Sequence, residues 1–151
     1  MARISALFAA FLCLFVISCR GATPYKKCKS PSGKVSTVSI PGCNAPPCKL
    51  KRGSSADVKI EFQAGKPASS VTADVHGVIA GVPVPFPLSQ PNGCKNSGLT
   101  CPLVAGKTYS YNNTIPVKKS YPSLQLVVEW ELKDENKEDI LCIEIPVIIV
   151  S

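Results

Sequence analysis

Six cysteines that lie beyond the N-terminal segment constrain the fold of this chain more than any other feature. In that segment Arg3 precedes an apolar run from 4 to 17, which is the layout of a secretory signal peptide rather than of a membrane-spanning helix. We place cleavage near Gly21, so that residues 1–21 form the signal peptide and residues 22–151 form a single domain. An exported chain enters an oxidising compartment, where an even number of cysteines predicts disulfides.

The six cysteines that remain after cleavage are Cys28, Cys43, Cys48, Cys94, Cys101 and Cys142. Many pairings are formally open, and three disulfides are expected. A bridge from Cys43 to Cys48 closes one short loop. A second bridge, from Cys94 to Cys101, closes another. The first and last cysteines would then pair and join the two ends of the domain, which stabilises the fold by about 4 kcal/mol in the chain-entropy model.

The segment from Val16 to Cys19 also resembles a bacterial lipoprotein box, an alternative that we rank below simple secretion. Cleavage leaves 15 basic and 10 acidic residues, so the mature chain carries a net charge of about +5. Lysine clusters at 26–29 and 49–52 suit anionic membrane surfaces or glycans in an exported domain, and we expect no nucleic-acid partner.

Alternating apolar and polar residues predict strands along the whole mature chain, and helical periodicity is absent. Shorter strand patterns occur at 35–40, 58–62, 71–75 and 107–115. The clearest pattern places one apolar set on a single face: Leu124, Leu126, Val128, Trp130 and Leu132. The last pattern does the same with Leu141, Ile143, Ile145, Val147 and Ile149, and Pro146 within it indicates an edge or a bulge. About seven such strands predict an all-β antiparallel sandwich.

The segment GVPVPFPL, residues 81–88, has proline at every second position. Proline lacks an N–H and has a fixed φ, so three prolines at this spacing do not fit inside a hydrogen-bonded sheet. We therefore predict an extended edge or rim segment, which we call the proline ribbon. Side chains alternate along an extended chain, so one face of the ribbon carries Val82, Val84, Phe86 and Leu88.

The residues needed for catalysis are scarce. His76 is the sole histidine, and we expect all cysteines of the mature chain to be oxidised, which disfavours nucleophilic catalysis. Glu129 and Glu131 lie on the polar face of their predicted strand, where we expect them to be solvated. The cysteine and histidine spacing does not form a zinc set, and no glycine-rich phosphate loop is present. We expect neither an enzyme nor a metal or cofactor site.

Three segments closely resemble one known family: VHGVIAGVPVPFPLSQPNGCKNSGLTCPL, KTYSYNNTIPVKKSYPSLQLVVEWEL and CIEIPVIIVS. The chain resembles the ML lipid-recognition family, and within it the small secreted and lysosomal sterol carriers. The resemblance runs from about Tyr25 to Ser151 and includes all six mature cysteines. Its motifs occur in the same order and with nearly the same spacing as in the family.

This resemblance implies an immunoglobulin-like sandwich whose two sheets part to enclose a lipid, with disulfides 28–142, 43–48 and 94–101. It implies that three residues lie at the mouth of the lipid cavity: Phe86, Val117 and Tyr121. It implies that four others form the cavity wall: Val58, Val128, Trp130 and Val147. The proline ribbon would stay extended without ladder partners and aim Phe86 over the cavity.

The function implied is binding and transfer of cholesterol or a related sterol, in the secreted fluid and in the endosomal or lysosomal lumen. Lys95 and Lys118 would help the protein to dock on anionic membranes, and a membrane sterol-transport protein would receive the ligand. The main alternative within the family is binding of fatty acids or bacterial lipids, in immune recognition or as a secreted allergen. An adhesion module is a third possibility, although the cysteine and tryptophan spacing of immunoglobulin domains is absent.

Two departures from the family pattern bear on this prediction. Ile143 follows Cys142 where close relatives have tryptophan, so the shape of the cavity is expected to differ. The strand at 55–62 lacks the glycosylation sequon of close relatives. The remaining sequon is Asn112-Asn113-Thr114, which makes Asn112 the candidate glycosylation site.

Overall fold

A computed structural model describes residues 22–151 as two β-sheets, and the predicted signal peptide lies outside the described residues. The strands of this part of the chain are β1 (Lys26–Lys27), β2 (Lys34–Ser39), β3 (Cys48–Lys51), β4 (Ser55–Gln63), β5 (Thr72–Ile79), β6 (Val82–Pro85), β7 (Thr108–Pro116), β8 (Gln125–Lys133) and β9 (Asp139–Val150). Within residues 22–151, no helix has the length and apolar character needed to cross a membrane.

The larger sheet has the strand order β1-β9-β8-β5-β6, with β3 also paired to β9, and the smaller sheet has the order β2-β4-β7. All pairs are antiparallel except β3 and β9, which run parallel from Cys48 opposite Val147 to Lys51 opposite Val150. The all-β sandwich is therefore confirmed. The sequence patterns missed β1 and β3 because strands of two and four residues are too short to show periodicity.

The inner faces of the sheets form one hydrophobic core. The alternation that predicted β8 is confirmed at Leu126, Val128 and Trp130, which are at most 7% exposed. In β9 the apolar face is buried throughout, from Leu141 to Ile149. The smaller sheet supplies the opposing inner face: Val38, Val58, Ile60, Phe62, Tyr109, Tyr111 and Ile115.

Pro146 does not mark a sheet edge, although the sequence indicated an edge or a bulge. It lies within β9, opposite Val127 of β8. The N–H of Ile149 points to β8, where it donates to Leu124 O at 2.9 Å. Because N–H groups alternate sides along a strand, the ring nitrogen of Pro146 faces the other side, where β1 ends and β3 has not begun. The proline therefore costs the sheet no ladder hydrogen bond.

The three predicted disulfides are confirmed. Cys28 is bonded to Cys142 with a Cα–Cα distance of 5.1 Å, and this bridge spans 114 residues. The other two bridges, 43–48 and 94–101, close loops with sequence separations of 5 and 7. The long bridge holds the segment around Cys28 against the outer face of β9.

Candidate functional site

An apolar cavity of about 170 Å³ lies at one end of the larger sheet, where its inner face meets the loop at 117–124. The lining residues are Gly77, Ile79, Val84, Pro85, Phe86, Tyr121, Pro122, Leu124, Leu126 and Ile149. Of these described residues, Tyr121 alone has a polar side chain, and none is charged. A cavity of this chemistry selects a hydrocarbon ligand with at most one small polar group.

The proline ribbon forms the edge of the larger sheet through β6, which pairs only with β5. Val84 lies opposite Gly77, and the N–H of Phe86 donates to Val75 O at 2.8 Å. N–H groups alternate sides along a strand, so the ribbon's prolines occupy the positions that face outward from the sheet. The predicted edge position is confirmed. The expectation that the ribbon has no ladder partners is wrong, because the non-proline residues supply the donors toward β5.

Gly77 makes room for the cavity in the middle of β5. A Cβ at this position would lie 2.8 Å from Leu126 Cδ1 and 4.0 Å from Phe86 Cδ2. Even an alanine here would therefore displace the end of Leu126, a side chain that lines the cavity, whereas its contact with Phe86 would be an ordinary one. Gly77 was not predicted from the sequence as a site residue. A glycine inside an alternating strand pattern was the signal, because it often marks a close approach of another group.

Phe86 and Tyr121 close the cavity from opposite sides. Their ring centroids are 5.3 Å apart with the ring planes tilted by 49°, a favourable aromatic contact. Phe86 is 9% exposed, and Tyr121 is half-buried. Arg52 Nη1 donates to Tyr121 O at 3.5 Å, which ties the loop at 117–124 to the end of β3. The structure thus brings together two of the three residues predicted for the mouth.

Val117, the third predicted mouth residue, is buried beneath this loop and does not line the cavity. Two backbone hydrogen bonds hold it: Gly53 N donates to Val117 O at 2.7 Å, and Val117 N donates to Ser54 O at 2.8 Å. These bonds fix the start of the loop that carries Tyr121. The position suits an anchor of the mouth, and a role in binding stays a prediction.

The four predicted wall residues lie deeper in the core than the cavity. Val58, Val128, Trp130 and Val147 are at most 2% exposed, and none lines the cavity as it stands. Val128 is two residues from the lining residue Leu126 on the same face of β8. A ligand longer than the present cavity would therefore meet this wall by advancing between the sheets. Their role as wall residues remains a prediction.

The rim of the cavity exposes apolar side chains. Ile79, Val82 and Val84 are 36%, 60% and 44% exposed, and they share the inner face of the edge formed by β5 and β6. Lys118 is exposed in the loop on the other side of the mouth. The mouth therefore combines an apolar edge with positive charge.

The outer face of β8 contradicts one expectation. Glu131 is not solvated, because its side chain is only 2% exposed. It lies directly opposite Cys142 of β9, and the disulfide to Cys28 brings Lys29 across this face. Lys29 Nζ lies 2.9 Å from Glu131 Oε1. Strand alternation could not reveal this burial, because it comes from a segment more than one hundred residues away in the chain.

Asn112 lies on the outer face of the smaller sheet. It is exposed in β7, beside a groove that Asn96 and Asp57 also line. Thr114, the third residue of its sequon, donates from Oγ1 to Asp57 Oδ1 at 3.1 Å. The side chain of Asn112 is thus accessible to solvent, on a face remote from the cavity lining.

An apolar cavity between the inner face of one sheet and a loop, closed by aromatic side chains, defines an all-β domain that can hold a hydrophobic ligand. The ML domain family model matches residues 22–149, and the chain belongs to this family. It is 44% identical to the mouse protein named NPC intracellular cholesterol transporter 2, over 96% of this chain and 98% of the mouse protein. The zebrafish protein of the same name is 43% identical, over 96% of this chain and 97% of that protein.

A solved structure extends the similarity to three dimensions. The crystal structure of a Niemann-Pick type C2 protein from Japanese carpenter ant matches with a TM-score of 0.79 and 35% sequence identity. The match covers 84% of this chain and 99% of the ant chain. The family resemblance noted in the sequence is therefore confirmed.

Proposed function

We propose that this protein binds cholesterol or a related sterol in a cavity that widens from this mouth into the space between its sheets, and carries it between membranes. The observation that carries the proposal is the cavity itself, whose lining is apolar apart from the hydroxyl of Tyr121. A sterol is a rigid hydrocarbon with one hydroxyl, so its polarity matches such a lining. The names of the mouse and zebrafish relatives, which are cholesterol transporters, support the same ligand class.

The cavity must widen to hold a sterol. Its volume of about 170 Å³ is smaller than the ~300 Å³ at which typical ligand pockets begin. Phe86 and Tyr121 make their contact across the mouth, so separation of these two rings would open a path toward the core. Enclosing about two dozen carbons yields roughly 20 kcal/mol, and ordering and association costs take about half of this gain. The remainder corresponds to submicromolar binding.

Carriage needs no covalent chemistry, and we infer a binding protein rather than an enzyme. The ligand enters with its hydrocarbon end first, and its polar end stays near Tyr121 at the mouth. The exposed rim of Ile79, Val82 and Val84, with Lys118 nearby, suits contact with membranes that contain anionic lipids. A membrane sterol-transport protein would take the ligand from the same mouth.

We also infer export, which the predicted signal peptide and the three disulfides support, and, from the family resemblance, residence in the endosomal or lysosomal lumen. Asn112 would carry a glycan there, since its side chain is exposed in a sequon. Mass spectrometry of the secreted protein before and after glycosidase treatment tests this assignment. An unmodified Asn112 peptide would contradict it.

Energy transfer from Trp130 to a fluorescent sterol tests the proposed function. Trp130 is the sole tryptophan of the chain, and it lies four residues from Leu126 on the same face of β8, about 14 Å along the strand. We expect saturable transfer at one sterol per protein, resistant to competition by a fatty acid. Efficient displacement by the fatty acid would instead favour the alternative of an acyl-lipid binder. Absence of transfer from folded, oxidised protein would refute sterol binding.

Phe86→Ala tests the mouth in the same assay. Truncation removes the ring that contacts Tyr121, so we expect weaker sterol binding by about tenfold while the protein stays folded. Val104→Ala is the matched control, because Val104 is an apolar residue 57% exposed and absent from the cavity lining. Unchanged affinity in Phe86→Ala would refute the role of Phe86 at the mouth.

A further inference from the structure

Two buried carboxyl oxygens on the outer face of the larger sheet lack a hydrogen-bond donor. They are Glu131 Oε2 and Asp139 Oδ1, and the described residues supply no partner to either atom. Lys29 Nζ donates to the other oxygen of Glu131, Oε1, at 2.9 Å. Lys133 Nζ is 3.9 Å from Glu131 Oε2, which is too far for a hydrogen bond. A buried acceptor without a donor destabilises the folded state. A proton bound at this site would supply the missing donor.

Glu131 and Asp139 line the same groove, and a hydrogen bond between their side chains is one of the causes that shift the pKa of each. Lys133 of β8 lies opposite Asp139 of β9, which puts Asp139 next to Glu131 on the same outer face. A single proton between the two carboxyl groups satisfies both orphan oxygens. Two ionised carboxylates side by side would instead repel each other in a poorly hydrated site.

We propose that Glu131 and Asp139 form a proton-binding pair that holds one shared proton between its two orphan oxygens, so that acidification strengthens the fold. This device is separate from the lipid cavity. The cavity lines the inner face of β8 around Leu126, whereas the carboxyl pair lies on the outer face beside the β8–β9 turn.

The electrostatics agree with this geometry. Burial, followed by the hydrogen bond and repulsion from Glu131, raises the pKa of Asp139 from 3.8 to about 7. Burial acts to raise the pKa of Glu131 as well, but hydrogen bonds to Asp139, Lys29 and Glu129 outweigh it and lower that pKa to about 2. The shared proton therefore resides on Asp139, which donates to the ionised Glu131.

Other charged groups face the pair from every neighbouring strand and loop. Lys29 comes from the segment after β1, Asp74 and His76 come from β5, and Lys133 contacts Asp74 at 3.0 Å. The remaining charged groups around the site are Lys66, Glu129, Lys137, Glu138 and Glu144. The two nearest lysines partly neutralise Glu131, but neither donates to Asp139 Oδ1.

The direction of the pH effect follows from proton linkage. The pKa of Asp139 is about 7 in the folded protein, above its ordinary value of 3.8. Between these two pH values the folded state therefore binds more protons than the unfolded state. Stability therefore rises as the pH falls from about 7 toward about 4. Glu131 acts in the opposite sense, because its lowered pKa removes stability only as the pH falls below its ordinary value of 4.5. The two groups together therefore place the pH of maximum folding stability in the mildly acidic range.

The test is thermal unfolding of the wild type and of Asp139→Asn at pH 5.0 and 7.5. We expect the wild-type Tm to be higher at pH 5.0, by about 3 °C or more. An asparagine amide donates to Glu131 at every pH, so Asp139→Asn should gain Tm at pH 7.5 and lose most of the difference between the two conditions. A wild-type Tm that is equal or lower at pH 5.0 would overturn the proposal.

Two control variants separate the pair from other titrating groups. Glu138→Gln removes one negative charge from the same groove at an exposed side chain, and it should keep the wild-type difference in Tm. His76→Gln removes the one histidine, whose Nδ1 lies 3.6 Å from Asp74, and it should keep that difference too. If His76→Gln abolishes the difference and Asp139→Asn does not, the proton belongs to His76 and the proposal is wrong.

A direct measurement guards against variants that fail to fold. The carboxyl carbon of Asp139 in ¹³C-labelled wild-type protein should titrate with a midpoint near 7, and a midpoint near 3.8 would overturn the proposal. Sterol binding by Asp139→Asn at pH 7.5 should equal that of the wild type, because the pair does not contact the cavity. Failure of the sterol proposal would leave this test unaffected.

Discussion

At the scale of single residues, Gly77 controls the space available to the ligand. Leu126 and Phe86 are its nearest side-chain neighbours, and the Cβ of any other residue would lie 2.8 Å from Leu126 Cδ1. The end of a leucine side chain can move, so a small residue is accommodated at this position without disrupting the sheet. The direction in which Leu126 can move includes the cavity that it lines.

We therefore predict that Gly77→Ala keeps the fold and lowers sterol affinity by about tenfold, since overpacking typically costs about 1–3 kcal/mol. Energy transfer from Trp130 measures the affinity, and thermal unfolding checks the fold. Val78→Ala is the matched control, because Val78 is the next residue of β5 and points to the opposite face. Unchanged affinity in Gly77→Ala would show that the ligand does not use this part of the cavity.

At the scale of strands, the proline ribbon solves the problem of an exposed sheet edge. An edge strand normally presents free N–H groups that can pair with another chain. In the ribbon, Pro83, Pro85 and Pro87 occupy these outward positions. The N–H of Phe86 still donates to Val75 O, on the side of the ribbon that faces β5. The edge thus stays extended and apolar at the cavity rim without offering donors to a second molecule.

Replacing Pro83 and Pro85 together with threonine should create two outward N–H donors and promote concentration-dependent association. Light scattering over a tenfold range of protein concentration would detect it. The control is Pro122→Thr, which changes a proline of the cavity lining that lies outside any strand. A monodisperse double variant at every concentration would refute the protective role of the prolines.

The sequence patterns predicted most of the strands, but they did not show which segments cover each strand face. Alternation identified β8 and β9 because each buries one complete face over nine or more residues. The same alternation misassigned Glu131, since the cover over its face depends on a disulfide partner far away in the chain. The aromatic residues of the mouth were predicted only from the resemblance of the sequence to its family. Gly77 was missed because a glycine has no side chain to classify.

At the scale of the whole molecule, the Cys28–Cys142 bridge joins the N-terminal segment to the last strand. It closes a loop with a sequence separation of 114, so the chain-entropy model assigns it about 4–5 kcal/mol of stability. It also holds Lys29 over Glu131, which adds a charged hydrogen bond to the effect of the bridge. Two short strands, β1 and β3, complete the same side of β9.

We predict that the double variant Cys28→Ser, Cys142→Ser loses at least about 4 kcal/mol of unfolding free energy, as measured by guanidinium denaturation. The matched control removes the 43–48 bridge, whose separation of 5 residues predicts a loss of only about 2 kcal/mol. The ratio of the two losses is informative because both bridges link strands or segments that pack against β9. Equal losses would mean that loop entropy does not explain the stabilisation, and that packing around each buried sulfur sets its contribution instead.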